Sequence, residues 1–190
     1  MRRKQHLALY DYDRTRYIQG PVCGDVDNLP FNTKGYHLLK ASENDRPFFL
    51  SCIKESILAS VPKEEAEMQG LWINDILGIT SANLESGSME NEPFVLLDDD
   101  EKKIGMLWMG KTKDQFTCDD IGYLLGIFIE KRLRGRGLGR SLLESAEIWC
   151  KNKGLVTMTM NVGSVNERAI ALYESSGYVP QTIVMKRQLF

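Results

Sequence analysis

Arg134-Gly135-Arg136-Gly137-Leu138-Gly139-Arg140 is the stretch that decides how this chain reads. It follows the apolar run 122–129 (GYLLGIFI) and opens into an amphipathic pattern from Leu138 to Lys151. Strand, glycine-rich turn and helix together make an anion site. Glycine lets an anion approach the backbone closely. The first turn of a helix offers unpaired N–H groups and a partial positive charge. Three arginines within seven residues add fixed positive charge suited to a ligand with several phosphates. Two familiar phosphate motifs do not fit. A P-loop needs G-x-x-x-x-G-K-[ST], and here Gly135 to Gly139 is one residue short, with Arg140-Ser141 in place of Lys-Ser/Thr. A Rossmann turn needs G-x-G-x-x-G, and neither Gly135 nor Gly137 starts one.

A third pattern, R/Q-x-x-G-x-G/A, fits Arg134-x-x-Gly137-x-Gly139 at every fixed position. A second block lies downstream: Val162-x-x-x-Asn166-x-x-Ala169-x-x-Leu172-Tyr173-x-x-x-Gly177-Tyr178. Both blocks, in this order and at this separation, resemble the GNAT superfamily, the Gcn5-related N-acetyltransferases; Tyr178 stands where the family usually has Phe. The resemblance covers about residues 121–178, is architectural only over 36–120, and is absent over 1–35.

Composition sets bounds. The length of 190 residues fits one domain with an extension, and an apolar content of 43% supplies a core. A net charge of −2 and a pI near 5.8 argue against general nucleic-acid binding. Cysteines 23, 52, 118 and 150 are widely spaced and His6 and His37 are isolated, so no zinc site or disulfide framework is expected. The amino-terminal apolar stretch is too short for a signal peptide, and no run is long enough to span a membrane. A cytoplasmic protein is the expectation.

Periodicity predicts the elements. Residues 1–35 read as an N-terminal extension and 36–190 as the domain. A strand is predicted over Tyr36–Ala41. A helix follows, capped by Asn44 or Asp45, with Pro47 in its first turn and Phe48, Phe49, Cys52, Ile53 and Ile57 at helical spacing. A second helix is predicted over Lys63–Leu77, a loop over Gly78–Glu92, and a hairpin from Phe94–Leu97 and Ile104–Met109. Its acidic turn, Asp98 to Glu101, reads as solvated rather than metal-binding. After a polar loop at 111–120 come a strand over Tyr123–Ile129 and a third helix whose Leu138, Leu142, Ala146 and Trp149 face the core. Gly154 stops that helix. A strand over Val156–Val162, a helix over Asn166–Ser176 and a last strand over Thr182–Leu189 complete the chain. The resemblance implies an α/β (α+β) fold: a mixed, mostly antiparallel twisted central sheet, flanked by about four helices, with its fourth and fifth strands splayed apart.

The resemblance also implies an enzyme, an acetyl-CoA-dependent N-acetyltransferase of the acyltransferase class. It would transfer acetyl to a primary amine of a small molecule or a peptide by direct attack in a ternary complex, with CoA as product. The backbones of Ile127, Phe128 and Ile129 would pair with the cofactor's pantetheine arm, with Gly126 marking a bulge. Gly135, Gly137, Leu138, Gly139 and the N–H groups from Arg136 to Arg140 would cradle the pyrophosphate, with Arg134, Arg136 and Arg140 reaching phosphate oxygens. Asn166 would cap the last helix and contact the cofactor. Tyr173 would protonate the leaving thiolate. Glu130, at the strand end, is the catalytic base candidate carried forward, with Tyr123 and Asp120 near the strand start as others. The alternatives are a non-catalytic acyl-CoA-binding module on the same fold and a nucleotide-binding regulator. The partners expected are acetyl-CoA and an amine acceptor, with no nucleic acid, membrane or metal. Edge strands and residues 1–35 leave room for a homodimer.

Overall fold

The computed structural model describes residues 28–62, 78, 90–187 and 189. Six strands follow one another in space as they do in sequence: β1 (Asn28–Leu29), β2 (Tyr36–Lys40), β3 (Asn91–Asp98), β4 (Lys103–Lys113), β5 (Asp120–Ile129) and β6 (Met158–Met160). The first four pairings are antiparallel, and β5 with β6 is parallel. The parallel pair needs a crossover, supplied by a helix between the strands. Three α-helices lie among the described residues: α1 (Arg46–Ser60), α2 (Leu138–Asn152) and α3 (Glu167–Ser175). The predicted second helix, Lys63–Leu77, falls outside them.

Helices cover both faces, so the central strands are apolar on both sides. In β3, Phe94 to Leu97 are all buried, and in β4 so are Ile104 to Gly110. On one face α2 and α3 pack Leu138, Leu142, Leu143, Ala146, Trp149 and Tyr173 against Phe94, Leu96, Leu107, Leu124 and Ile129. On the other, α1 packs Phe49, Cys52 and Ile53 against Met106, Trp108 and Phe128. Phe49 meets Trp108 edge to face, with ring centroids 5.5 Å apart.

Local chemistry sets the boundaries. Asp45 precedes α1; its carboxylate accepts from the Ser42 N–H and hydroxyl, both at 2.7 Å, and pairs with Lys103. Asp98 shapes the β3–β4 turn by accepting from the N–H groups of Asp100 and Lys102. Gly154 ends α2 at φ 71° and Gly177 follows α3 at φ 91°, the left-handed geometry that stops helices.

Several expectations shift. β4 and β5 run further into the predicted 111–120 loop, leaving 114–119 as the turn, while β6 is shorter than 156–162. Within the predicted 78–92 loop, Gly78 is helical and Asn91 and Glu92 belong to β3; the rest is outside the described residues except Glu90. The last strand, Thr182–Leu189, does not form among the described residues: 181–187 has no regular structure, and Ile183, Val184 and Met185 are exposed. Its β-branched residues find no strand neighbour there, and propensity alone does not make a strand. No helix among the described residues is long and apolar enough to cross a membrane.

Candidate functional site

β5 and β6 are partners only from Gly122↔Met158 to Leu124↔Met160. Beyond Leu124 the strands part, and among the described residues Gly126 to Ile129 keep a strand neighbour only in β4. The parting coincides with a register shift between Trp108 and Met109. These pair with Gly126 and Leu124, so Leu125 is the extra residue of a bulge. Gly126 adjoins it, so the bulge lies where the sequence reading put it. A Cβ at Gly126 would lie 2.9 Å from Met106 Cε and 3.1 Å from Ile53 Cδ1, so α1 packs too closely there for a side chain.

The Glu130 N–H donates to the Ile104 carbonyl at 2.9 Å. Alternation along the ladder then turns the backbone groups of Ile127 and Ile129 away from β4, toward the gap. Arg134 takes one of them, its Nε donating to the Ile129 carbonyl at 2.8 Å while its guanidinium lies over the Phe128 ring, 5.5 Å from the centroid. The Ile127 N–H and carbonyl and the Ile129 N–H remain facing the gap.

The glycine turn begins where the strand ends. Gly135 and Gly137 have φ 82° and 84°, and a Cβ on either would meet nothing within 4 Å. Their requirement is conformational, not steric. Gly139 is different: a Cβ there would lie 3.0 Å from Leu172 Cδ2, so it lets α2 approach α3. The N–H groups of Arg140 and Ser141 donate to the Gly137 carbonyl. Those of Gly135, Arg136, Gly137, Leu138 and Gly139 meet no acceptor among the described residues. Five successive donors at a helix N-terminus are what a phosphate group binds.

The arginines divide. Arg136 is exposed and makes no hydrogen bond or ion pair to a described residue. Arg140 reaches across to the last turn of α3, donating to the Ser175 carbonyl at 3.0 Å. Arg134 is folded back as described, and burial, then nearby Arg168, lowers its pKa from the ordinary value. Of these three arginines, Arg136 alone makes no hydrogen bond or ion pair to a described residue.

Tyr173 is 8% exposed and lies in the same apolar cluster as Leu124, Ile129 and Leu138. Its ring meets Tyr178 at 6.2 Å, and its hydroxyl has no hydrogen-bond partner among the described residues. Burial pushes its pKa up to about 12, so it keeps its proton throughout the neutral range. Asn166 caps α3, its side-chain oxygen accepting from the Ala169 N–H at 3.3 Å, while its amide donates to Ser60 Oγ at 3.2 Å. Glu130, at the far end of β5, is paired with Arg132 Nε at 2.6 Å. Asp120 is held by Lys111 at 3.1 Å and by Lys113 at 2.6 Å.

Sequence reasoning named Tyr123 but missed its partner at the fork, Asn161. Tyr123 is hydrogen-bonded to Asn161, the residue just after the last β5–β6 pairing. Burial raises the Tyr123 hydroxyl pKa, and that bond tempers the rise. Met158 and Met160 pack into the cluster beneath α2 and α3, so Asn161 belongs to the opposite, α1 face. The alternation Met158-Thr159-Met160-Asn161 was the available signal.

The sequence profile described as Acetyltransferase (GNAT) family matches residues 62–178. The chain belongs to this family. Sixty-four residues, 34% of the chain, are 41% identical to the ribosomal protein bS18-alanine N-acetyltransferase of Salmonella typhimurium and span 43% of that relative, less than half its length. The GNAT fold recurs in a GCN5-related N-acetyltransferase from Ralstonia eutropha JMP134, with TM-score 0.61 and 18% identity over 81% of this chain and 99% of that one. It recurs in AAC(6')-Iy, solved with the bisubstrate analogue CoA-S-monomethyl-acetylneamine, with TM-score 0.56 and 17% identity over 80% and 97%. The mostly antiparallel sheet, splayed at its parallel pair, is the GNAT architecture expected from the two motifs.

Proposed function

We propose that this GNAT protein is an acetyl-CoA-dependent N-acetyltransferase acting on a primary amine of a small molecule or peptide by direct attack in a ternary complex. One observation carries the reading: a strand edge that pairs with no other described strand runs straight into five N–H groups at a helix N-terminus that meet no acceptor among the described residues. An elongated ligand with amides at one end and phosphates at the other satisfies both. Coenzyme A has that chemistry, and the residues fit it. Related GNAT structures solved with CoA analogues support the assignment.

When bound, acetyl-CoA supplies an activated thioester carbonyl. The Ile127 and Ile129 backbone groups pair with amides of the arm and fix its register in the gap. The side chains of Ile127, Phe128 and Ile129 stay in the core. Residues Gly135 to Gly139 bind the pyrophosphate through N–H groups, and Arg136 adds charge. Arg134 and Arg140 act by position: one holds the strand end, the other ties the turn to α3. An N–H at the Leu125 bulge lies where strand pairing ends, and it is the chain's donor for carbonyl polarisation. Tyr173 approaches from the α2–α3 face as the proton donor to the thiolate. Its raised pKa keeps it protonated, and the burial that raises it also favours neutralising a thiolate nearby. The acceptor amine enters from the α1 face, past Tyr123 and Asn161. Glu130, engaged by Arg132 at the other end of the open stretch, deprotonates that amine only through a water relay.

The relatives suggest acceptors to try. One is named as a ribosomal protein bS18-alanine N-acetyltransferase, and another was solved with an acetylneamine analogue. The test has two stages. Thermal unfolding with acetyl-CoA, CoA, ATP and NAD should show a raised midpoint with the first two alone. Thiol release from acetyl-CoA should then rise with alanine-initiated peptides, aminoglycosides or another member of an amine library. Stabilisation by CoA without turnover on any amine would favour the acyl-CoA-binding module. Stabilisation by ATP or NAD alone would overturn the assignment.

A further inference from the structure

The fork has a closed end. On the reading above, on which this inference rests, the phosphates lie at Gly135 to Gly139, and the arm passes Ile129 and Ile127 to the bulge at Leu125. The acyl group is then the leading end of the ligand. It points at Leu124↔Met160, the last partners of β5 and β6. Backbone pairing shuts the gap there.

Both faces of that closed end are filled as well. On the α2–α3 side Leu124, Leu138 and Tyr173 are buried in one cluster, with Met160 packed against it. On the α1 side Ile53, Met106 and Phe128 are buried together, and Leu125 packs against them. The bulge turns two successive residues toward α1: Leu125 by its side chain, and Gly126 by the side chain it lacks. A Cβ on Gly126 would lie 2.9 Å from Met106 Cε and 3.1 Å from Ile53 Cδ1. Apolar carbons in contact sit about 3.5–4.0 Å apart. One added carbon over Gly126 therefore already displaces Ile53 or Met106.

We infer that Ile53 sets the acyl length this chain accepts: a two-carbon group fits in the gap, and longer acyl groups are rejected. Acetyl lies between the strands and needs neither face. A third carbon must press on the Leu124–Met160 backbone, sink toward Tyr173, or rise over Gly126 into Ile53 Cδ1 and Met106 Cε. The first of these walls is backbone, and the second holds the proton donor. Ile53, presented by α1, is the wall that one substitution can lower without touching the sheet. A single methylene too many in a closed apolar pocket is worth roughly 10- to 200-fold in discrimination.

The experiment is calorimetric titration of the full chain with CoA, acetyl-CoA, propionyl-CoA and butyryl-CoA. The natural sequence, Ile53→Val and Ile53→Ala are compared. No acceptor amine is needed, and CoA reports the arm and the phosphates without an acyl group. In the natural chain, propionyl-CoA should bind about 10-fold or more weaker than acetyl-CoA, and butyryl-CoA weaker again. Ile53→Val removes only Cδ1 and should bring propionyl-CoA to within about threefold of acetyl-CoA; Ile53→Ala should do the same for butyryl-CoA. Both variants should bind CoA within about twofold of the natural Kd. Thermal unfolding checks that each is folded, and the one-methyl change of Ile53→Val keeps the test decisive should Ile53→Ala loosen α1. Natural affinities for the three acyl-CoAs that agree within about threefold overturn the inference. So does a preference for acetyl-CoA that neither variant relaxes. A chain that binds none of the four ligands overturns the transferase reading itself, whereas one that binds all four alike overturns this inference alone.

Discussion

Gly137→Ala separates what the glycine turn does for folding from what it does for binding. Gly137 sits at φ 84° as the residue before α2, and a Cβ there meets nothing within 4 Å. The folded protein therefore pays for the methyl only in backbone strain, roughly 1–2 kcal/mol for a non-glycine residue in the left-handed region. Stiffening the unfolded chain destabilises the variant no further, because that change costs about 0.4–1 kcal/mol in the opposite ensemble and raises the unfolded free energy. The net loss is about 1 kcal/mol, or roughly 2–4 °C in midpoint for a chain of this size. Binding should suffer more. The methyl projects beside five N–H donors, and losing one hydrogen bond to a charged group costs roughly 1.5–3 kcal/mol. Acetyl-CoA affinity should fall about 10- to 100-fold. At a ligand concentration of 100 times the natural Kd, a tenfold loss cuts the stabilisation from about 2.7 to about 1.4 kcal/mol. Gly154→Ala is the control: it has φ 71°, an equally open surround, and a place at the other end of α2. It should lose similar stability and no affinity. Thermal unfolding with and without acetyl-CoA, and calorimetric titration, read both quantities. If Gly137→Ala loses stability but keeps the natural affinity, the turn is a helix start and not a phosphate site.

Three further outcomes are expected. Tyr173→Phe should lower kcat about 100-fold or more while leaving the acetyl-CoA Kd within about twofold, since only a proton donor is removed; stopped-flow thiol release checks it. Alkaline pH should destabilise the fold. Burial pushes the Cys52 and Cys150 thiols from 9.0 to about 12, and Tyr173 from 10.0 to about 12. Folded values raised above unfolded ones mean stability that is complete below about pH 9 and lost as pH rises toward 12, visible as a falling midpoint between pH 8.5 and 11. Lys153→Met should cost about 2 kcal/mol in urea unfolding, between an exposed and a fully buried ion pair, because Glu92 is only 13% exposed and loses its ammonium partner at 2.6 Å. Desolvation opposes, but bonds from Lys153 and Trp149 outweigh it, and the Glu92 pKa lies below the ordinary 4.5. The natural protein therefore loses this contribution as pH falls through that lowered value, and the variant has less to lose.

The parts legible in the sequence are those that a local rule dictates. Gly135 and Gly137 are needed for positive φ, and the turn is where the motif puts it. Leu138, Leu142, Ala146 and Trp149 are buried as the helical period requires, and Asn166 caps α3. What escaped reading depends on partners far along the chain. Arg134 and Arg140 read in sequence as phosphate ligands, and nothing local announces that one also donates to the Ile129 carbonyl and the other to the end of α3, 35 residues away. Gly126 does mark the bulge, but that the unpaired residue is its neighbour Leu125 depends on where the β4 register shifts, which no residue type announces. The 182–189 pattern reads as a strand because pattern reports propensity, whereas pairing needs a neighbour.

The two faces of the fork also divide the chemistry in a way that explains why one half was readable. On the α2–α3 face the proposed ligand contacts are backbone N–H groups and a tyrosine with a raised pKa, and their placement requires particular residues at fixed spacing. On the α1 face the site has a neutral Tyr123–Asn161 pair, with Ser60 and Asn166 joined behind it. A neutral pair accepts or donates to many amines and commits to none, so its residue types carry no substrate name. Gly163 permits that face to close, because a side chain there would run into the Ser60 backbone. Contact between the end of α1 and the loop after β6 is thus built into the face proposed to admit the acceptor. Gly163→Val should force α1 away from that loop, raising the KM for the amine at least tenfold while the KM for acetyl-CoA, held from the opposite face, stays within about twofold. Equal rises in both constants would mean that the two faces do not act separately, and the assignment of the amine to the α1 side would fail.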